Sequence, residues 1–252
     1  MRFLRTLAAL LLIYVMGGPH SSSLTPIFVE RVTIVSVPVA LQPDDPARTR
    51  AGQLTLLAGW KLSSQSSQFG GWSALDIDDD RVTAIGDYGS VLRFRLTRFG
   101  RAVDARIDPL PAGCGRADDK RQRDSESLAR VPDGWWVGFE VDNRLCKVTP
   151  DFIQAKTVVH PQSMARWHHA NGPEAMVPLA DGRLLVFAER APKGTALRPL
   201  LVFDGDPADA RTKVMARSYV PPIGYSPTDA AQLPDGRILV LNRRFGVADR
   251  FT

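Results

Sequence analysis

The chain has 252 residues, 44% of them hydrophobic, which is enough apolar material for one large all-β domain or two small domains. Its formal net charge is +5, but Lys and Arg are scattered along the chain and no nucleic-acid-binding motif is present. The charge therefore does not indicate a nucleic-acid-binding protein. We interpret it as a mildly cationic surface that would favour small anionic substrates.

Residues 1–22 are typical of a signal peptide or an N-terminal anchor. Arg2 and Arg5 precede the apolar run Leu7–Met16, which has the length of a signal-peptide core. No clear small-residue cleavage site follows, so cleavage and retention as an anchor both stay open. No later segment is apolar over a length that would span a bilayer as a helix. The sequence thus predicts a periplasmic or secreted protein that touches the membrane only through this segment, if it is not cleaved.

The clearest structural signal lies in residues 171–191, N-G-P-E-A-M-V-P-L-A-D-G-R-L-L-V-F-A-E-R-A. Two apolar runs flank Asp181-Gly182, a pattern that strongly predicts a β-hairpin. With these two residues at the centre of the turn, Glu174 faces Glu189 at the open end. Like charges placed opposite each other are destabilising, so a positive group is expected beside them. The candidates are a bound cation such as calcium and a guanidinium from Arg190 or a neighbouring unit.

The same unit recurs along the chain. It is found again at Asp124–Asn143 and Tyr225–Phe245, with a weaker copy at Gly71–Tyr88. An early acidic position is occupied by Glu126, Glu174 and Asp229, and a late one by Asp87, Glu140 and Glu189. The early acids are 48 and 55 residues apart. Strand-rich units with a period of about fifty residues are typical of propeller blades.

These patterns predict an all-β fold, a β-propeller of four-stranded blades that spans residues 30–252 as one domain. Two alternating segments, residues 32–39 and 53–60, are expected to form either the first blade or a strand that closes the ring. The four hairpin units either close as a small propeller or form a ring that is incomplete at the C-terminus. We expect a monomer.

The two cysteines, Cys114 and Cys146, are interpreted through the predicted export. An even number of cysteines in an oxidising compartment predicts one disulfide, and two free thiols are the alternative. Catalytic signatures are mostly missing from the chain. It has no G-x-S-x-G, H-E-x-x-H, Walker loop or S-x-x-K, so a serine-hydrolase mechanism has no support.

Four ordered blocks together resemble a known family. They are F-G-G-W-S-A-L-D-I-D at residues 69–78, R-D-S-E-S-L-A-R-V-P-D-G at 123–134, N-G-P-E-A-M-V-P-L-A-D-G-R-L-L-V-F-A-E at 171–189, and Y-S-P-T-D-A-A-Q-L-P-D-G-R-I-L-V-L at 225–241. The chain resembles the phytase-like domain family, described as having esterase-like activity of phytase, from about residue 31 to residue 245. This resemblance implies an exported bacterial β-propeller that hydrolyses phosphate esters with the help of calcium.

The active site of such an enzyme is expected where the open ends of the hairpins converge on the central channel. The predicted metal ligands are Glu126, Glu140, Glu174, Glu189 and Asp229, with Asp87 as a further candidate. Of these, Glu126, Glu174, Glu189 and Asp229 are the predicted catalytic residues. The predicted substrate-binding residues are Arg123, Arg144, Arg190, Arg243 and Arg244. Calcium held by the carboxylates would activate water while the arginines neutralise a small anionic ester.

A non-catalytic alternative accounts for the same charges. The acids and arginines would pair with one another and hold blade to blade, because charged groups at blade ends need partners whether or not there is chemistry. The protein would then bind a ligand or a protein in the periplasm. A third hypothesis, a lactonase-like hydrolase of sugar acids, shares the metal and differs in the substrate.

Overall fold

The computed structural model describes residues 26–168, 172–192 and 194–244, and these are almost entirely β-structure. The predicted signal segment, residues 1–22, lies outside the described residues. Among the helices of the described ranges, none has the length and apolar character needed to cross a membrane.

Three antiparallel sheets of the described residues follow one another along the chain, and each has a core of four consecutive strands. The first blade contains β6 (Trp72–Asp78), β7 (Arg81–Gly86), β8 (Ser90–Leu96) and β9 (Ala102–Pro109). The second contains β10 (Ser125–Val131), β11 (Gly134–Phe139), β12 (Arg144–Val148) and β13 (Ala155–Val159). The third contains β14 (Pro173–Pro178), β15 (Leu184–Ala188), β16 (Arg198–Phe203) and β17 (Val214–Tyr219). A hairpin of β18 (Ser226–Gln232) and β19 (Ile238–Arg243) comes last.

The first strands of these units, β6, β10, β14 and β18, lie next to one another in that order. They are the inner strands of the fold. The blades pack face to face, so that every residue of β11 and β15 is buried. Ile85, Val91, Val137 and Phe139 fill the space between the first and second blades, and Trp136, Leu145, Met176 and Val186 that between the second and third. The all-β prediction and its four-stranded propeller blades are confirmed.

The N-terminal segment has a different role from the one predicted. Only β1 (Glu30–Arg31) joins the first blade, as a fifth strand on the outer edge of β9. Two short sheets are formed by β2 (Val35–Pro38) with β5 (Trp60–Ser63) and by β3 (Arg50–Ala51) with β4 (Leu54–Thr55). Residues 72–109 already supply four strands to the first blade. The N-terminal segment instead covers the face of that blade that is turned away from the second blade, where Ile34 and Leu62 pack against Val82 and Leu92.

Short helices and one disulfide connect the blades. Two single-turn 3₁₀ helices span Ala112–Cys114 and Gln162–Met164, and α1 spans Lys120–Arg123. The predicted disulfide between Cys114 and Cys146 is confirmed, with the two Cα atoms 5.6 Å apart and both side chains fully buried. It ties the loop after β9 to β12. On the loop-entropy model such a bridge stabilises the fold by roughly 3 to 4 kcal/mol.

A β-bulge recurs at the same place in each inner strand. The register shifts between Trp72 and Ala74, Ser125 and Ser127, Pro173 and Ala175, and Pro227 and Asp229. The unpaired residues are thus Ser73, Glu126, Glu174 and Thr228. Because a bulge redirects the side chain of its extra residue, the bulge decides what each blade presents at its open end. Asp229 pairs with Leu241 and lies one position further along its strand than Glu126 and Glu174 do on theirs.

The turn of the central hairpin also differs from the prediction. Leu179 N–H donates to the carbonyl of Arg183 at 2.8 Å, and Gly182 N–H donates to the carbonyl of Leu179 at 3.0 Å. The loop therefore has three residues, with Gly182 at a φ of 89°. This shifts the register by one, pairing Ala175 with Phe187. The predicted opposition of Glu174 and Glu189 is wrong, because Glu174 is the bulged residue and has no partner across the strand.

Gly182→Ala should lower the free energy of unfolding by about 1 to 2 kcal/mol, because an alanine in the left-handed region is strained. A Cβ at this position meets no atom within 4 Å, so crowding does not contribute. Gly182→Asn should retain more of the stability, since asparagine tolerates this conformation. Urea unfolding of both variants measures the difference. Equal losses for alanine and asparagine would contradict the conformational explanation.

Candidate functional site

A group of carboxylates lies at the open end of the second blade. Asp124, Glu126 and Glu140 each bring a carboxylate oxygen to within 4.8 Å of the others. Asp124 directly precedes β10, Glu126 is the bulged residue of that strand, and Glu140 directly follows β11. The N–H of Glu140 donates to the carbonyl of Asp124 at 2.9 Å, which holds the two ends of the hairpin together. We call these three residues with Asp87, Glu174 and Glu189 the acidic cluster.

The third blade adds the next acids. The carboxyl of Glu174 lies close enough to Glu126, Glu189 and Glu140 for all three to raise its pKa. Gly172 permits this approach, because a Cβ there would lie 2.8 Å from Cα of Glu140. Such a distance is shorter than packed carbon atoms allow. The open ends of the second and third blades therefore meet with their carboxylates facing one another.

Burial and mutual repulsion disturb the protonation of these acids. Burial raises the pKa of Glu126 to about 8, and repulsion from Asp124 and Glu140 adds to the effect. Burial raises the pKa of Glu174 to about 9, again with repulsion from its acidic neighbours. The pKa of Glu140 is raised by burial and by the charges of Asp124 and Glu189. Without a further positive charge, Glu126 and Glu174 hold protons at neutral pH.

Asp87 closes the cluster on the side of the first blade. Its pKa is raised by burial, against the attraction of Lys120. Its Oδ1 atom is buried and receives no hydrogen bond from the described residues. A buried carboxylate oxygen without a donor costs free energy, so this atom is available to a positively charged ligand.

Few cations balance these acids. Lys120 on α1 pairs with Asp124, donates to the carbonyl of Asp87 at 2.6 Å and lies 3.8 Å from Oδ2 of the same residue. Arg190 binds Glu189 at 3.0 Å, and the charge of Arg243 acts on Glu174 by lowering its pKa. Carboxyl groups outnumber the cationic side chains around the cluster, and this excess of negative charge adds to the effect of burial in raising the pKa values.

Arg123 and Arg144, predicted to bind substrate, are engaged elsewhere. Arg123 is 2% exposed and donates to the carbonyl of Leu110 at 2.8 Å, and burial lowers its pKa to about 10 with a contribution from Arg144. Arg144 donates to the carbonyls of Cys114 and Gln122, both at 2.6 Å. Both guanidinium groups hold the disulfide-linked loop, because its carbonyls are buried and need donors.

Asp229 and Arg244 have neighbours other than the six acids of the cluster. Burial raises the pKa of Asp229, and the charge that acts on it is that of Asp76 on β6, whose own partner is Arg130. Arg244 lies over the ring of Tyr225, 5.8 Å from its centroid. Asp229 is displaced because its strand bulges at Thr228, one residue earlier.

The structure thus brings together a subset of the predicted residues, namely Glu126, Glu140, Glu174, Glu189, Arg190 and Arg243, with Asp87 beside them. Sequence reasoning missed Asp124 and Lys120. Asp124 carried a usable signal, since it is an acid only two residues before Glu126 in the chain. Lys120 carried none, because its role depends on a single helical turn that brings it to Asp87 from far along the chain.

Comparison with known proteins gives one informative match. Residues 67–252 match the family model Phytase-like, described as esterase-like activity of phytase. A search of curated proteins found no match. A chain in the crystal structure of the mitotic checkpoint complex aligns with a TM-score of 0.38 and 9% identity, over 89% of this chain and 90% of that one. A likeness of that degree supports no conclusion about fold or function.

Proposed function

This chain belongs to the Phytase-like family, and from that membership we propose that it hydrolyses phosphate or related esters at the acidic cluster with a bound calcium ion. The family match supports a hydrolase-like, esterase-type function. The observation that carries the choice of site is the convergence of Asp124, Glu126 and Glu140, with their carboxylate oxygens within 4.8 Å of one another.

The residues fit a hard divalent cation. Calcium prefers several oxygen ligands, and carboxylates are foremost among them in proteins. With pKa values of about 8 for Glu126 and about 9 for Glu174, both carboxyl groups are protonated at neutral pH when no cation is bound. A cation would displace those protons and compensate the buried charge. Asp124, Glu126 and Glu140 would hold it, with Asp87 and Glu174 as the next carboxylates.

When bound, calcium supplies polarisation of the ester oxygen and a lowered pKa for the attacking water. Side chains of the protein orient the carboxylates, transfer the proton and offset the charge of the ester. The hydroxyl of Ser73 hydrogen-bonds to Glu126 and orients its carboxylate. A carboxyl oxygen of Glu174, one of the next carboxylates around the cation, takes or returns a proton. Lys120, Arg190 and Arg243 offset negative charge on the bound ester.

Export to the periplasm or the medium is part of the proposal. The disulfide between Cys114 and Cys146 supports it, because such bridges form and persist in oxidising compartments. The signal-like residues 1–22 point the same way.

The test is hydrolysis of p-nitrophenyl phosphate and p-nitrophenyl acetate, each with calcium and with EGTA. We expect turnover that needs calcium and is lost in Glu126→Gln, together with weaker calcium binding by calorimetry. Glu30→Gln is the matched control, because Glu30 lies on β1 with Ser66 and Gln68 as its partners. It should retain both turnover and calcium affinity.

Two results would contradict the proposal. The first is calcium-independent turnover that Glu126→Gln leaves intact, which would place the chemistry elsewhere. The second is a folded protein that hydrolyses no phosphate ester, carboxylic ester or lactone. That result would favour the non-catalytic propeller, in which the acidic cluster and its cations hold the blades together or bind a ligand or a protein.

A further inference from the structure

A cavity of about 980 Å³ lies along the same inner strands as the acidic cluster. Its walls are mainly apolar and include Leu75 and Ile77 on β6, Leu128 on β10, Met176 on β14 and Leu241 on β19. Several of these side chains are unusually open for their type, with Ile77 58% and Leu241 64% exposed. A cavity of this size and lining is typical of small-molecule sites.

Two strands, β10 and β14, carry both a residue of the acidic cluster and a residue of the cavity wall. Leu128 stands two residues beyond Glu126, and Met176 stands two residues beyond Glu174. With a rise of about 3.3 Å per residue, roughly 7 Å of strand separates each acid from the cavity wall. A molecule with its ester at the acidic cluster would therefore extend a short chain directly into the cavity.

The charges of the cavity do not suit a polyanion. Its two lining arginines already have carboxylate partners, Arg130 with Asp76 and Asp78, and Arg183 with Asp181 at 2.7 Å. Asp229 also lines the cavity, and no salt bridge joins it to another described residue. Additional phosphate groups would meet carboxylates here and no uncommitted cation, which disfavours a ligand with many negative charges.

Resting on the proposed ester hydrolysis, we infer that this cavity binds the apolar part of the substrate. The substrate class is then an ester of an apolar acid or alcohol. A polyphosphorylated inositol is a poor substrate for this chain. The acidic cluster holds the ester group, and the apolar chain occupies the cavity formed by Leu75, Ile77, Leu128, Met176 and Leu241. Apolar contacts of this kind discriminate by chain length.

The test compares p-nitrophenyl acetate, butyrate and octanoate, together with phosphate release from phytate, all in the presence of calcium. We expect kcat/KM to rise about tenfold or more from acetate to octanoate, and phytate to be turned over more slowly than octanoate. Ile77→Asn should reduce the octanoate-to-acetate ratio several-fold by raising KM for octanoate. Ile153→Asn is the matched control, since Ile153 is 72% exposed and lies outside the cavity wall, and it should keep the ratio.

A binding measurement separates this inference from the proposed function. The uncharged fluorophore N-phenyl-1-naphthylamine should bind to the wild type and to Ile153→Asn, and several-fold more weakly to Ile77→Asn. Faster turnover of phytate than of octanoate, or a flat chain-length series without fluorophore binding, would overturn the inference and leave ester hydrolysis standing. Fluorophore binding that Ile77→Asn weakens, in a protein that turns over no ester, would support an apolar ligand site while overturning the proposed function.

Discussion

Replacing Glu174 by glutamine should stabilise the calcium-free protein at pH 8 by a few kcal/mol, since one pKa unit corresponds to about 1.4 kcal/mol. The pKa of this carboxyl is about 9 in the folded protein against an ordinary value of 4.5, because of burial and the charges of Glu126, Glu189 and Glu140. Arg243 lowers this pKa and is the opposing charge. Glutamine has the same shape without the charge.

The sign of the pH dependence follows from that difference. A folded-state pKa above the unfolded value means that the folded protein holds the proton more tightly. The resulting stability is fully present below about pH 4.5 and is lost progressively as the pH rises toward 9. Wild-type protein in EGTA should therefore become less stable across this window, and Glu174→Gln should show a smaller slope. Urea unfolding at pH 5, 7 and 9 measures both slopes.

Glu30→Gln is the control for this measurement. The pKa of Glu30 is lowered by hydrogen bonds from Ser66 and Gln68. Replacing this carboxyl should therefore leave the decrease of stability with rising pH in place. Saturating calcium should flatten the wild-type slope, because the cation compensates the same charges as the protons do. Identical slopes for wild type and Glu174→Gln in EGTA would show that this carboxyl ionises normally.

Arg144→Met should lower the free energy of unfolding by about 2 to 5 kcal/mol, because each of two buried acceptors left without a donor costs about 1 to 3 kcal/mol. Arg144 is 4% exposed and donates to the carbonyls of Cys114 and Gln122 while pairing with Asp142. Methionine fills the volume but leaves these acceptors buried without donors. Urea unfolding at constant calcium measures the loss.

Arg183→Met provides the comparison for Arg144→Met. Arg183 is exposed and pairs with Asp181 in the hairpin turn, so its loss should cost under about 1 kcal/mol. If Arg144→Met were as stable as wild type and instead raised KM for anionic esters relative to neutral ones, Arg144 would be a substrate-binding residue, as the sequence predicted. Because the hydrogen bonds of Arg144 are buried, we expect the loss of stability instead.

Hairpins and blades could be predicted because they depend on local patterns, and the disulfide because the chain has two cysteines and a signal-like N-terminus. Turn residues between apolar runs indicate hairpins, and a recurring unit indicates blades. The register of the central hairpin could not be predicted, because a two-residue turn and a three-residue turn both suit Asp181-Gly182. The difference of one residue, together with the bulge at Glu174, changed which side chains face each other.

The candidate site shows the same division. Glu126 and Glu174 could be predicted from their common spacing to the Asp-Gly turn, and Glu140 from its place after the second strand. Asp229 was aligned with them although it stands six residues before Asp235, whereas Glu126 stands seven before Asp133. In a strand that single residue changes which neighbours a side chain meets, and Asp229 faces Asp76 instead.

The amino-acid sequence alone determined that this protein is built from consecutive strand-rich units and that acids recur at their ends, and it predicted the pairing of Cys114 with Cys146 that the structure confirms. Only the tertiary structure decided which charges meet. Arg123 and Arg144 turn to buried carbonyls, and Lys120 and Asp124 enter the cluster. Strands and turns depend on residues that are close together in the sequence, so the sequence predicts them. The partner of a buried charged group instead depends on which polar atoms remain without a hydrogen bond once distant segments have packed together.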